Sequence, residues 1–254
     1  MHYELDGPAE APALVLSNSL GTNLSLWEPQ LSTFAKTFRV LRYDSRGHGQ
    51  TAASHGEYSI ELLANDTLAL LDTLKIQQVH FCGLSIGGLT GMWLGANAPE
   101  RLHKLILSNT APQIGNAANW NARIKTVREN GTASISEGVV ERWFTPEFRT
   151  KEPALVAKTR QMIDSTSIDG YTGSCAAVRD ADLWSQVATI RTSTLVFGGS
   201  HDQSVPPAEA RKLAQAIPGA HYQELTAAHI ANIEAAEQFT TQVSNFLSQP
   251  AEAR

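Results

Sequence analysis

Cysteine is scarce in this sequence: the 254 residues contain two, Cys82 and Cys175. Two thiols cannot frame a chain of this length with disulfides, so a reducing compartment is the default and the cytoplasm the expected location. Runs of Lys or Arg are also missing. Twenty basic residues stand against 25 acidic ones, for a net charge of −5. Their scatter removes the electrostatic footprint of a nucleic-acid binder. No apolar stretch approaches the roughly 18 residues that span a bilayer. The opening Met1-His2-Tyr3-Glu4-Leu5-Asp6 lacks the charged-then-apolar order of a signal peptide. No cluster of His, Cys and Asp has metal-ligand spacing, so no metal is expected. Internal repeats and low-complexity segments are absent too, and Ser248 to Arg254 reads as a frayed tail.

What is present is a chain that is 42% hydrophobic and 18% charged, the balance of a globular protein with a sizeable core. Short runs rich in Val, Leu, Ile and Phe end in Gly, Ser, Asn or Asp, as buried parallel strands do. They are Ala13 to Leu16, Phe38 to Tyr43, Val79 to Cys82, Lys104 to Ser108, Thr194 to Phe197 and, more weakly, His221 to Leu225. Helical patterns fall between them. In the clearest, Ser59 to Leu74, Ile60, Leu63, Leu70, Leu71 and Leu74 form the apolar stripe and Ser59 the N-cap. This alternation predicts an α/β fold with a mostly parallel central sheet flanked by helices.

The rhythm breaks between about Pro112 and Leu183, where Trp120 to Glu129, Ser134 to Trp143 and Pro153 to Ile163 read as helices punctuated by Gly131, Pro146, Pro153 and Gly170. Residues 1–112 and 184–254 are thus expected to form the core, and 113–183 an inserted helical cap. An insertion between two strands whose carboxyl ends line a site is well placed to cover that site and exclude water.

The sequence Phe81-Cys82-Gly83-Leu84-Ser85-Ile86-Gly87-Gly88 follows an expected strand and opens a helical stretch, Leu89 to Asn97. That is the context a Gly-x-Ser-x-Gly nucleophile elbow requires. Its sharp turn holds the serine in a strained backbone conformation, and glycines on either side leave no side chains to collide. A serine needs a base within hydrogen-bond reach, itself oriented by a third group. Asp202 lies just beyond the strand Thr194 to Phe197, and His229 beyond His221 to Leu225, so the chain order is Ser, Asp, His. Ser85 would attack, His229 would move its proton, and Asp202 would hold the imidazole in the required tautomer. His201, next to Asp202, is rejected as base because neighbouring loop residues point apart. His2, His48, His55, His80, His103 and His221 read as surface or strand-end residues, with His48 the exception to watch. For the oxyanion, the backbone N–H of Ile86 and that of Leu20, in the loop Ser17-Asn18-Ser19-Leu20-Gly21-Thr22, are the expected donors.

With these stretches, and with Arg42-Tyr43-Asp44-Ser45-Arg46-Gly47-His48-Gly49, Trp143-Phe144-Thr145-Pro146 and Cys175-Ala176-Ala177-Val178-Arg179-Asp180, the chain resembles the α/β-hydrolase superfamily throughout and, more narrowly, the 3-oxoadipate enol-lactonases. It departs from the common pattern in having Asn18-Ser19 where a His-Gly pair is usual, and in lacking the Gln-Pro often found after the glutamate at Glu234. The resemblance implies a substrate that is a small anionic lactone, an enol ester carrying an acetate arm, opened without metal or organic cofactor in aromatic-compound breakdown. The substrate carboxylate would need compensation inside the cap. Arg123, Arg142 and Arg179, or the indole N–H groups of Trp120 and Trp143, are the candidates, and the sequence does not choose among them. Arg46 and His48 read as structural.

Fold does not fix substrate. A carboxylesterase for small esters, a carbon–carbon bond hydrolase or a perhydrolase would use the same elbow, and a non-catalytic ligand receptor could keep the same pocket. A haloalkane dehalogenase or epoxide hydrolase would need an aspartate at the elbow, where this chain has Ser85.

Overall fold

The computed structural model describes residues 1–249. Seven strands form one sheet: β1 (Tyr3–Asp6), β2 (Ala13–Ser17), β3 (Arg39–Tyr43), β4 (Val79–Leu84), β5 (Leu102–Ser108), β6 (Ser193–Gly199) and β7 (His221–Leu225). Their order across the sheet is β1-β3-β2-β4-β5-β6-β7. All neighbours are parallel except β1, which runs antiparallel to β3 with Tyr3 opposite Tyr43. The inner strands are continuous apolar runs because helices cover both faces of the sheet; every residue of β2 is buried.

Before the insertion come α1 (Glu28–Phe34), α2 (Ile60–Thr73) and α3 (Ile86–Asn97). Ser59 caps α2 by accepting from Leu62 N–H at 3.1 Å, and the helix buries Ile60, Leu63, Ala64, Thr67, Leu70 and Leu71. Between β5 and β6 lie α4 (Ala117–Asn130), α5 (Ala133–Trp143), α6 (Pro146–Lys151), α7 (Pro153–Asp164), α8 (Ile168–Asp180) and α9 (Trp184–Val187). The chain then continues through α10 (Pro207–Ala216), α11 (Ala231–Glu234) and α12 (Ala236–Ser248). No helix of the described residues is long and apolar enough to cross a membrane.

Two local readings change. Gly170 does not punctuate the insertion but lies inside α8, where it packs directly on the backbone of Gly47; a Cβ at either glycine would overlap the other residue. That contact docks α8 against the loop after β3. Of the segment expected to fray, Ser248 ends α12, while residues 250–254 lie outside the described residues.

The sheet register brings the carboxyl ends of four strands to one edge, with Leu84 opposite Ser108, Ser108 opposite Phe197 and Gly199 opposite Leu225. The residues that follow these ends therefore converge.

At the other end of β4, His80 packs against Phe38 and His103, with ring centroids 5.7 and 5.4 Å away and its Nδ1 buried without a partner. Burial first, then the charges of His103 and Lys104, push its pKa from 6.5 down to about 4. Burial lowers that of His48 as well. The folded chain refuses protons that the unfolded chain binds, so stability is full above about pH 6.5 and is lost as the pH falls toward 4. Comparing melting temperatures at pH 7 and pH 4.5 checks this: acidification should cost His80→Phe about 2–4 °C less than the unsubstituted chain.

Candidate active site

Ser85 sits between β4 and α3 with φ 57° and ψ −115°, a left-handed conformation that costs a non-glycine residue about 1–3 kcal/mol. The surroundings hold it there. Its N–H donates to Ser108 O at 3.0 Å, and its carbonyl accepts from Thr110 Oγ1 at 2.8 Å and from Gly88 N–H at 2.9 Å. A Cβ at Gly83 would overlap the carbonyl of Gly87, and one at Gly87 would overlap that of Ser17, so neither position admits a larger residue without backbone movement. Ser85 Oγ makes no hydrogen bond among the described residues, and the residue is 9% exposed.

Asp202 and His229 are brought together. His229 Nδ1 lies 2.8 Å from Asp202 Oδ2, with the two residues only 2% and 4% exposed. The other carboxylate oxygen, Oδ1, accepts from Ser204 N–H at 2.8 Å and Val205 N–H at 2.9 Å. Asp202 is therefore neither a solvated turn residue nor the cap of α10, whose N-cap is Pro206. His201 is exposed, and its N–H donates to Ala227 O at 3.0 Å. No hydrogen bond joins Ser85 Oγ to His229; bonds of this kind are often long before substrate binds.

Asn109, at the end of β5, was missed by the sequence reading. Its Nδ2 donates to Asp202 Oδ2 at 3.0 Å and to Ala228 O at 3.1 Å, tying the loops after β6 and β7 to the strand beside the elbow. It also adopts a left-handed φ of 49°. Its place one residue beyond an apolar strand, at the same sheet edge as Ser85, was the available signal.

The Leu20 and Ile86 N–H groups donate to no acceptor among the described residues, although both residues are buried. The loop bearing Leu20 is braced from below. Asn18 Nδ2 donates to Tyr43 O at 2.7 Å, and Asn18 Oδ1 accepts from Trp27 Nε1 at 3.0 Å, so this asparagine makes side-chain bonds of its own where a histidine is usual. Gly21 N–H donates to His48 Nε2 at 3.0 Å, while His48 Nδ1 lies 3.0 Å from Arg46 O. That pair of bonds requires a neutral ring with its proton on Nδ1, in keeping with the burial that lowers its pKa. His48 is thus a buried brace, not a surface residue. Arg46 is structural as expected, binding both oxygens of Asp66 at 2.8 and 2.5 Å.

Four candidate side chains from the insertion separate clearly. The Trp143 ring lies 5.9 Å from that of His229 at 36°, and Trp143 O accepts from Ile230 N–H at 3.2 Å. Trp120 Nε1 is already spent on Ile114 O at 2.7 Å, so the Trp120 indole offers no donor to a substrate. Arg179 is spent as well: on the outer surface its guanidinium binds Glu57 and Asp180, with Nη2–oxygen distances of 2.8 and 2.7 Å. Arg123 lies over the Trp120 ring, 4.8 Å from its centroid, and beside the hydroxyl of Tyr171. The Tyr171 ring in turn packs on Gly21, so this chain of contacts reaches the loop that carries Leu20. Arg142 is the fifth candidate. It is half-buried, forms no ion pair among the described residues, and lines a cleft with Phe144, Thr145, His201 and Asp202. Burial and then the charge of Arg123 lower its pKa, yet a guanidinium stays protonated.

A family description for the alpha/beta hydrolase fold matches residues 12–236. The chain belongs to the α/β-hydrolase family. Among its relatives is 3-oxoadipate enol-lactonase 2 of Acinetobacter baylyi, 41% identical over 239 residues that cover 94% of this chain and 90% of that protein. 3-Oxoadipate enol-lactonase 1 of the same organism is 36% identical over 97% of this chain and 92% of its own length. Among solved structures, the enol-lactonase from Burkholderia xenovorans LB400 superposes with a TM-score of 0.96 at 46% identity, covering 98% of this chain and 96% of that one. Within the α/β hydrolases this chain is a hydrolase of the enol-lactonase family.

Among the described residues no group of three or more His, Cys, Asp and Glu side chains is placed to hold a metal ion.

Proposed function

We propose that this α/β hydrolase opens 3-oxoadipate enol-lactone to 3-oxoadipate through an acyl-enzyme on Ser85, as a step in aromatic-compound breakdown by the β-ketoadipate route. The observation that carries the reading is the hydrogen-bonded Asp202–His229 pair at the same sheet edge as a left-handed serine with an unengaged hydroxyl. The lactone is suggested by the relatives at 41% and 36% identity.

In this reading Ser85 Oγ attacks the ring carbonyl while His229 Nε2 takes its proton, and Asp202 fixes the tautomer through Nδ1. The tetrahedral oxyanion is met by the N–H groups of Leu20 and Ile86. Collapse breaks the ring C–O bond, and His229 returns the proton to the departing enolate, which settles as the ketone. Water, activated by the same imidazole, then releases 3-oxoadipate and restores Ser85. Residues 113–183 act as the cap that keeps bulk water from the acyl-enzyme.

The substrate's carboxylate is assigned to Arg142, with Arg123 beside it and Trp143 forming the wall next to His229. Arg142 is half-buried, feels the charge of Arg123 and forms no ion pair among the described residues, so a bound anion would relieve it. Trp120 shapes this pocket only by holding Arg123. Arg179 is left out because Glu57 and Asp180 already satisfy it. No nucleic acid, membrane or cofactor enters this scheme. The assignment to the cytoplasm is supported by Cys82 and Cys175, both free and buried.

A progress curve with the enol-lactone, generated enzymatically because it is unstable, tests the substrate. Loss of lactone with appearance of 3-oxoadipate is expected. Inertness toward the lactone beside turnover of a chromogenic short-chain ester would point to a general carboxylesterase. Arg142→Leu should raise KM for the lactone about 10- to 100-fold, the value of a charge-assisted hydrogen bond, and raise KM for a neutral ester far less.

A further inference from the structure

Glu234 takes no part in the reaction just described, yet its carboxylate joins the loop of the base to the helical insertion. Oε2 accepts from Ala228 N–H at 2.7 Å. Oε1 accepts from Thr145 N–H at 3.1 Å and also from the Thr145 hydroxyl. Thr145 Oγ1 in turn accepts from Phe148 N–H at 3.2 Å and caps α6. Glu234 itself is half-buried and forms no ion pair among the described residues, so its charge is balanced by hydrogen-bond donors alone.

The same short segment of the insertion grips the loop a second time. Trp143 O accepts from Ile230 N–H at 3.2 Å, and the Trp143 ring lies against His229. The amides on either side of His229, those of Ala228 and Ile230, are therefore both bound to residues 143–145, one through Glu234 and the other directly. A loop held on both flanks cannot shift along its length without breaking one of these bonds. The imidazole is fixed behind by Asp202 Oδ2.

We propose that Glu234 is a positioning residue that locks the His229 loop to residues 143–145 of the insertion, so that the base is aimed at Ser85 only while that segment is seated. The proposal rests on the reading of Ser85 and His229 as nucleophile and base, but not on the lactone as substrate. Glutamine cannot replace the carboxylate: it retains one acceptor oxygen and turns an N–H₂ toward either Ala228 N–H or Thr145. The loss falls on the rate of the base-assisted step, because both oxygens of Glu234 are taken up by donors of Ala228 and Thr145. A carboxylate that merely stapled the fold would affect melting instead.

The test uses the intact protein and a fluorophosphonate, which reports the reactivity of Ser85 whatever the natural substrate. Glu234→Gln should slow phosphonylation and lower kcat on a short chromogenic ester about 10- to 100-fold, as expected for a displaced catalytic group, with KM within threefold. Thr145→Val, which removes the hydroxyl bond but keeps the N–H bond to Glu234, should slow both in the same direction by a smaller factor, and the double variant should be no slower than Glu234→Gln, because both changes act on one link. Thr145→Ser, which keeps the hydroxyl, should return the rate to within about twofold. Glu234→Gln labelled as fast as the unsubstituted protein overturns the proposal, as does a loss that tracks the melting temperature and disappears on cooling. An unsubstituted protein that resists the phosphonate overturns the reading of Ser85 itself, and the tether falls with it; a fast unsubstituted protein beside equally fast variants overturns the tether alone.

Discussion

Ser85→Ala should lower kcat/KM by about 10⁴-fold or more while leaving the melting temperature within a few degrees of the starting value. Such a loss corresponds to more than about 5 kcal/mol of transition-state stabilisation at 1.36 kcal/mol per decade. Little of it can come from damage to the fold. Ser85 Oγ holds no other group in place, and the bonds that fix the elbow run from the backbone: N–H to Ser108 O, and the carbonyl to Thr110 Oγ1, Gly88 N–H and Leu89 N–H. Alanine adopts the left-handed conformation at a cost similar to that of serine, so φ 57° is no more strained in the variant. The measurement is ester or lactone turnover beside calorimetric melting. Residual activity above about a hundredth of the original would mean that another group attacks the carbonyl, and the scheme built on the elbow would be wrong.

The elbow could be read from the sequence because its constraints are local. Glycines at 83 and 87 are needed where two backbone segments nearly touch, and an apolar strand must precede them. The inner strands were equally visible, since burial on both faces writes an uninterrupted apolar run. β1 was not: its four residues include Glu4 and Asp6, which bind Arg42, and it lies at the sheet's edge with Tyr3 exposed. The site's charges were less legible still. Whether an arginine is free depends on partners far away in the chain. Arg179 is consumed by Glu57, 122 residues distant, whereas Arg142 forms no ion pair among the described residues. Asn109 and the bond from Glu234 to Thr145 belong to the same class: each joins a loop that only the fold brings near, and no periodicity marks it.

Asp202→Asn should reduce kcat by about 10³- to 10⁴-fold, the cost of a base held in the wrong tautomer. The reason lies in what surrounds the carboxylate. Both of its oxygens accept: Oδ2 from His229 Nδ1 and Asn109 Nδ2, and Oδ1 from the N–H groups of Ser204 and Val205. Every neighbour is a donor, so the N–H₂ that asparagine introduces must face at least one of them. Turned toward His229, it also confronts the Asn109 amide and makes the imidazole accept at Nδ1; the ring proton then moves to Nε2, which can no longer take a proton from Ser85. Turned the other way, it keeps the tautomer but opposes two backbone donors and loosens the turn that carries residue 202. The two orientations are separable by experiment. The first abolishes most activity at nearly constant melting temperature; the second preserves more activity at a cost of several degrees. Two backbone N–H groups have no alternative acceptor in the turn, whereas the Asn109 amide keeps its second bond to Ala228 O, so the first outcome is expected. A variant with nearly the original rate and stability would show that the 2.8 Å contact does not orient the base.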